Sequence, residues 1–202
     1  MINISCDTLV RLSALIPRAD ADVQDIFRTI RLENGRAIVT DRKFMAVESI
    51  SPFEGVFYIR PTPELVEQCR VETQFNSVLT LVPNPMLSYT TGMTSLAYEV
   101  QGNIGLYPIG VTEFDSWWDK IVKPALEPTT VANGALVCHA DEIARLAATS
   151  PSGAVVFEQH IDVRRPTVIR DINSHDWAGF FHPRVDTGIY HAPATVPGWL
   201  KS

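Results

Sequence analysis

The amino-acid sequence predicts an α+β protein of two modules, each with two helices packed on one face of a curved antiparallel sheet. Two observations carry this. Four segments show helix-period apolar residues and capping signals, and short alternating runs bounded by turn residues fill the spans between them. The order of elements also repeats. Residues 1–101 read strand, helix, three or four strands, helix, three strands. Residues 102–184 read strand, helix, a short strand region, helix, three strands. The repeat is one of plan and not of residues. It places the module boundary near Gly102 and leaves 185–202, rich in Pro, Gly and Ala, as an extended C-terminal arm.

In chain order, the first helix is Asp7 to Ile16, with Leu9, Leu12 and Ile16 on one face, Asp7 as cap and Pro17 at its end. Ile26 to Leu32 alternates as a strand, and Asn34-Gly35 is a hairpin turn before Arg36 to Thr40. Phe44 to Ile50 and Val56 to Ile59 read as further strands. Thr62-Pro63-Glu64 opens the second helix with a cap, a proline at the first helical position and an acid near the positive helix end. Leu65 and Cys69 share its apolar face. Ser77 to Val82, Met86 to Thr90 and Ser95 to Val100 form a meander turned at Pro83-Asn84-Pro85 and Thr91-Gly92, followed by a strand at Ile104 to Ile109.

The third helix has Phe114, Trp117, Trp118, Ile121 and Val122 at helical spacing before Pro124, and the fourth spans Ala140 to Thr149 with Ile143, Leu146 and Ala147 inward. The remaining strands are Ala135 to Cys138, Ala154 to Asp162, Pro166 to Arg170 and Trp177 to Phe181.

Composition excludes several classes. Apolar residues make up 46% of the 202 residues and charged residues 20%, too apolar for a disordered chain. Three cysteines, Cys6, Cys69 and Cys138, do not make a disulfide framework. A net charge of −6 excludes a basic nucleic-acid coat, though not a local basic surface. The start, MINISCDTLVRL, has no basic n-region, and Asp7 and Arg11 break its apolar run too early for a signal peptide. The longest uncharged stretch, Thr73 to Tyr98, contains Pro83, Pro85 and Gly92 and does not read as a spanning helix. The expectation is a soluble cytoplasmic protein with reduced thiols and no membrane contact.

No pattern of residues supports catalysis or a cofactor. The five histidines, three of them at 175, 182 and 191, show no metal-ligand spacing, so no metal is expected. No G-x-S-x-G, phosphate-binding glycine loop or dinucleotide fingerprint occurs. Asp41 reads as a turn aspartate, the cysteines as small core hydrophobes, and Trp117-Trp118 as core more than as a base-stacking platform. Basic residues cluster at Arg36, Arg42 and Lys43 and at Arg164, Arg165 and Arg170, on hairpins whose solvated faces commonly look the same.

Two runs carry a family resemblance. RLENGRAIVTDRKFMAVESI (Arg31 to Ile50) resembles the strand–turn–strand of bacterial-type DNA sliding clamps, the beta subunit of the replicative DNA polymerase. There, a strand ending in Thr-Asp crosses a tight turn into one that begins with a basic and an apolar residue. RRPTVIRDINSHDWAGFFHPR (Arg164 to Arg184) resembles the end of such a clamp, where a Pro-(apolar)-(apolar)-Ile-Arg strand precedes a loop, a closing strand and a Pro-containing basic tip. These runs cover about forty residues, and the plan covers most of the chain.

The resemblance implies a non-enzymatic, cofactor-free processivity factor for a DNA polymerase, or a protein-docking platform on DNA. It implies a homo-oligomer, dimer or trimer; three two-module chains head to tail close most simply. Its partners would be double-stranded DNA without sequence specificity, and a polymerase or host protein. Arg11, Arg18, Lys120, Lys123 and Arg145 would be the helix residues facing DNA. Trp177, Phe180, Phe181, His182 and Pro183 would border a partner groove beside the closing strand. Trp199 and Leu200 of the arm would dock on a neighbouring chain or on their own second module.

Two departures keep an alternative open. The span from Pro124 to His139 has 16 residues against 45 from Pro17 to Pro61, so the second module is shortened. The four helices carry six basic and nine acidic residues, a poor layer for neutralising phosphates. The alternative is a clamp-fold interaction protein, such as a phage-encoded modulator of a host protein, that does not encircle DNA.

Overall fold

The computed structural model describes residues 2–17, 25–41, 43–84, 93–100, 103–110, 122–126, 140–158 and 165–181. Strand β1 (Ile2–Ser5) runs directly into helix α1 (Cys6–Ser13) because Ser5 turns the chain. Its Oγ accepts from the Thr8 amide at 2.9 Å, so Ser5 and not Asp7 is the cap. A single turn of 3-10 helix at Asp25–Arg28 stands where alternation predicts strand, and it places Phe27 in a buried cluster. Tertiary packing overrides the two-residue period there. Then come β2 (Ile30–Glu33), β3 (Arg36–Thr40), β4 (Phe44–Ser49) and β5 (Val56–Ile59). Asn34 and Gly35 take the two left-handed positions of the β2–β3 turn, φ 47° and 75°, which Gly35 adopts without strain.

Helix α2 (Pro63–Glu72) starts as the sequence predicts, with the Thr62 hydroxyl accepting from the Leu65 amide and Pro63 at the first position. Strands β6 (Val78–Asn84), β7 (Met93–Val100) and β8 (Asn103–Gly110) follow. Strand β6 does not turn at Pro83: Pro83 and Asn84 continue the ladder opposite Leu96 and Ser95. The strand expected at 86–90 lies outside the described residues. Residues 103–110, which sequence alone assigns to the second module, pair with β7. Helix α3 (Lys123–Leu126) begins where the third helix was expected to end, and it holds Pro124 in its first turn, where a missing N–H is harmless. Of the expected third helix, only Val122 is described. Helix α4 (Ala140–Ala147) and strands β9 (Val155–Glu158), β10 (Thr167–Asp171) and β11 (Trp177–Phe181) complete the order.

Two antiparallel sheets result, ordered β1-β6-β7-β8 and β5-β2-β3-β4-β11-β10-β9. The first eight strands make two β-α-β-β-β units that exchange their leading strands: β1 pairs with β6 of the second unit, and β5 with β2 of the first. Helix α4 and β9–β11 repeat the helix and meander of such a unit. The closing strand β11 then pairs with β4, from Trp177 opposite Glu48 to Phe181 opposite Phe44.

The seven-stranded sheet is buried on both faces. Ala37, Val39, Phe44, Ala46, Ile169 and Phe181 face the main core with Leu9, Leu12, Leu65 and Leu146 of the helices. Ile38, Met45, Val168 and Phe180 face a second cluster that Val122 and Ala125 cover. The segment with Val122 and α3 and helix α4 therefore lie on opposite faces of this sheet, while the helix expected at 112–122 lies outside the described residues except for Val122. The continuous apolar character of β11, Trp-Ala-Gly-Phe-Phe, is the physical reason: both of its faces need a cover.

Gly179 makes room for its neighbour. A Cβ there would lie 2.8 Å from Cη2 of Trp177, so Gly179→Ala should cost about 1–3 kcal/mol by overpacking, read by urea unfolding. Asp171 ties the loop after α4 to the β10–β11 loop. Its carboxylate accepts from Ser150 Oγ, from Ser152 N and Oγ at 2.8 and 2.9 Å, and from the Asn173 and Ser174 amides at 2.7 and 2.9 Å. Burial opposes its charge, but the bonds from Ser150, Ser152 and Asn173 prevail and hold the carboxyl well below the usual carboxylate range. A depressed folded value stabilises above the unfolded one and is lost as pH falls through the folded one. Asp171→Asn should therefore be less stable by about 1–3 kcal/mol near neutrality, with the gap to wild type narrowing below about pH 4.

Candidate functional site: the helix layer and the module junction

Helices α1, α2 and α4 share the main core, and the charges on them decide what their layer can bind. Arg11 reaches back from α1 to Glu48 on β4. Its Nη1 and Nη2 donate to the two Glu48 oxygens at 3.0 and 2.8 Å, Nε donates to Asp7 at 2.8 Å, and Nη1 also donates to the Thr149 carbonyl at 2.7 Å. Thr8 Oγ1 donates to Glu48 at 2.7 Å. Only 14% of the Arg11 side chain and 8% of the Glu48 side chain is exposed, so this is a fork-to-fork ion pair taken largely out of water.

Arg145 on α4 plays the mirror part. Its Nη2 donates to the Leu15 carbonyl at 2.7 Å beyond the end of α1, and its Nη1 lies 3.3 Å from Asp41. The Leu15 carbonyl lies just past the negative end of α1, where a cation is favoured. Asp41 is the turn residue that the sequence predicts, accepting from the Lys43 and Phe44 amides. Lys43 Nζ in turn meets Glu142 on α4. The bonds of Arg11 to Thr149, of Lys43 to Glu142 and of Arg145 to Leu15 and Asp41 each join residues 2–50 to residues 140–150.

Arg11 and Arg145 are therefore held by the protein itself, at the junction of its two parts. Of the other cations expected to face DNA, Arg18 and Lys120 lie outside the described residues, as does the side chain of Lys123. On α2, Arg70 is exposed and paired with Glu67 at 2.8 Å. A cleft of about 760 Å³ between the end of α1 and the start of α2 is lined by Val10, Ile16, Pro61 and Val66 and bordered by Arg28, Arg60 and Arg70. Sequence reasoning passed over Arg28 and Arg60, which belong to neither of the basic clusters in the sequence.

Sequence reasoning also missed Glu48. Its signal was available: it follows Phe44 and Ala46 at a two-residue period on the inward face of β4, where a carboxylate requires a buried partner.

The residues expected around a partner groove divide in the same way. Trp177, Phe180 and Phe181 are core, at 3%, 3% and 1% exposure, and Phe181 stacks on Phe44 with ring centroids 4.7 Å apart. His182, Pro183, Trp199 and Leu200 lie outside the described residues. Cys6 and Cys69 are buried, and burial pushes both thiols above their usual range. Among the described residues no group of three His, Cys, Asp or Glu side chains could hold a metal ion, and no helix is long and apolar enough to cross a membrane.

Removing Arg11 should leave Glu48 buried and unpaired. Arg11→Ala is expected to destabilise by about 3 kcal/mol, whereas Arg70→Ala on the exposed pair should change stability by less than about 1 kcal/mol; thermal or urea unfolding compares them.

The sequence matches no protein-family model and no curated protein. The structure does find counterparts. It is similar to the sliding clamp (DNA polymerase III subunit beta) of Bartonella birtlesii solved bound to griselimycin, with a TM-score of 0.61 and 12% identity over 90% of this chain and 65% of that one. The sliding clamp of Pseudomonas aeruginosa gives 0.58 and 10% over 90% and 65%, and the beta subunit of Thermotoga maritima gives 0.54 and 8% over 90% and 64%. The chain spans just under two thirds of the length of these clamps. At such identities the likeness is one of fold. Exchanged β-α-β-β-β units, a sheet that runs on through β4 and β11, and a shortened second module together give this chain the fold of the bacterial DNA sliding clamps.

Proposed function

We propose that the chain is a sliding-clamp-like protein that acts, without catalysis, as a DNA polymerase processivity factor or a protein-docking platform on DNA. The supporting observation is the clamp fold over 90% of the chain. The phosphate-facing cations in this reading are Arg18, Lys120 and Lys123, because Arg11 and Arg145 are bound within the protein.

That commitment of Arg11 and Arg145, with a net charge of −6, favours a second reading. In it the clamp fold presents a surface to another protein and meets no DNA. The two separate on a short duplex titrated at several salt concentrations. The first reading expects sequence-independent binding that falls steeply with salt, and a slope reduced by about one for each of Arg18→Gln, Lys120→Gln and Lys123→Gln. No binding at about 50 mM salt would overturn it in favour of the second.

A further inference from the structure

We propose that the cleft between the end of α1 and the start of α2 docks a short peptide segment of another protein, one in which carboxylates flank an apolar side chain. The inference rests on the cleft itself and on neither reading above. Its floor is apolar and stiff. Val10 on α1, Ile16 just past it and Val66 on α2 are half-buried, packed against the main core and also lining the cleft. All three are β-branched, so a ligand that covers them costs little side-chain freedom. At about 760 Å³ the cleft has the size of ligand-binding clefts.

Its rim is positive, although the chain as a whole carries −6. Arg28, Arg60 and Arg70 line it, and among the described residues Glu67 is the one acid that does. The arginines come from three places: the 3-10 turn, the residue after β5, and α2. Arg70 and Glu67 are both well exposed, so their pair is weak and a ligand carboxylate competes with it. Thr62 and Pro63 line the same cleft, which adds the positive end of α2 to the field. A guanidinium has five N–H donors, so an arginine anchored within the chain can still meet a carboxylate at the cleft mouth.

Two features select the occupant. An apolar floor offers nothing to a duplex, whose outer surface is phosphate and sugar. Arginines contributed by three separate elements around an apolar centre match carboxylates spread along a chain, whereas a single acidic head group suits arginines gathered on one side. A peptide supplies both parts: an aliphatic or aromatic anchor for the floor, and Asp or Glu on either side for the arginines.

Selection of a random-peptide library displayed on phage against the full chain tests this. The enriched peptides are expected to carry Asp or Glu on both sides of an apolar residue. Synthesised with a fluorophore, such a peptide should lose about tenfold in affinity when its acids are replaced by their amides, and about tenfold on each of Arg60→Glu and Arg70→Glu. On binding, amide hydrogen exchange should slow at residues 10–17 and 60–70.

The proposal is overturned if no acidic–apolar peptide is enriched, if the enriched peptides bind both variants as tightly as wild type, or if exchange slows only elsewhere. In the first case, duplex binding weakened by the same two substitutions would assign the cleft to phosphates, and its absence would mean that the chain's own residues fill it. If Arg60→Glu fails to fold, Arg70→Glu on the exposed pair and the neutralised peptide still decide.

Discussion

The pairing of β4 with β11 is the constraint from which most of the molecule's character follows. It joins residues 44–49 to residues 177–181, so the chain must bring its last described strand back across more than half its length. Such a contact forms late and at a large entropic cost unless strong local packing accompanies it. The packing is present: Phe44 stacks on Phe181 at one end of the ladder, and Glu48, opposite Trp177 at the other, is gripped by Arg11. Because the sheet continues through this seam, both faces of β11 become interior. That is why its residues are nearly all apolar, and why one helix packs on each side.

The same seam explains how an acidic protein can have a clamp fold and yet so few free cations on its described helices. Arg11, Lys43 and Arg145 are consumed in holding α4 and the loop after it against α1 and β4. An arginine as buried as Arg11, with two carboxylate partners and a carbonyl, gains nothing by turning to a phosphate. Any electrostatic attraction for nucleic acid has to come from residues elsewhere, and the chain's overall charge opposes it. A clamp fold identifies an architecture; which macromolecule it serves depends on where the remaining positive charge sits.

Much of this was legible in the sequence, for definite reasons. The Asn34-Gly35 turn, the strands at 36–40, 56–59 and 177–181, and the Thr62-Pro63 helix start are local signals, and local structure followed them. The shortened second module was visible as chain length. The failures were tertiary. The two-residue period of Ile26 to Ile30 yielded to the need to bury Phe27, and Pro83 was read as a turn although an extended ladder accommodates it. Arg11 and Arg145 were assigned to DNA because a helix position shows which residues are charged and not which distant carboxylate or carbonyl awaits them. Trp177, Phe180 and Phe181 were assigned to a partner because a strand apolar on both faces looks the same whether its second cover is another protein or its own helix.

Amide hydrogen exchange on the intact chain tests the seam directly. If β4 and β11 unite the two parts into one cooperative sheet, the ladder amides of Phe44–Ser49 and Trp177–Phe181 will exchange with a common free energy of opening close to that of global unfolding. Ladder amides of 177–181 that exchange at loop rates, while those of β2 and β3 stay protected, would contradict it.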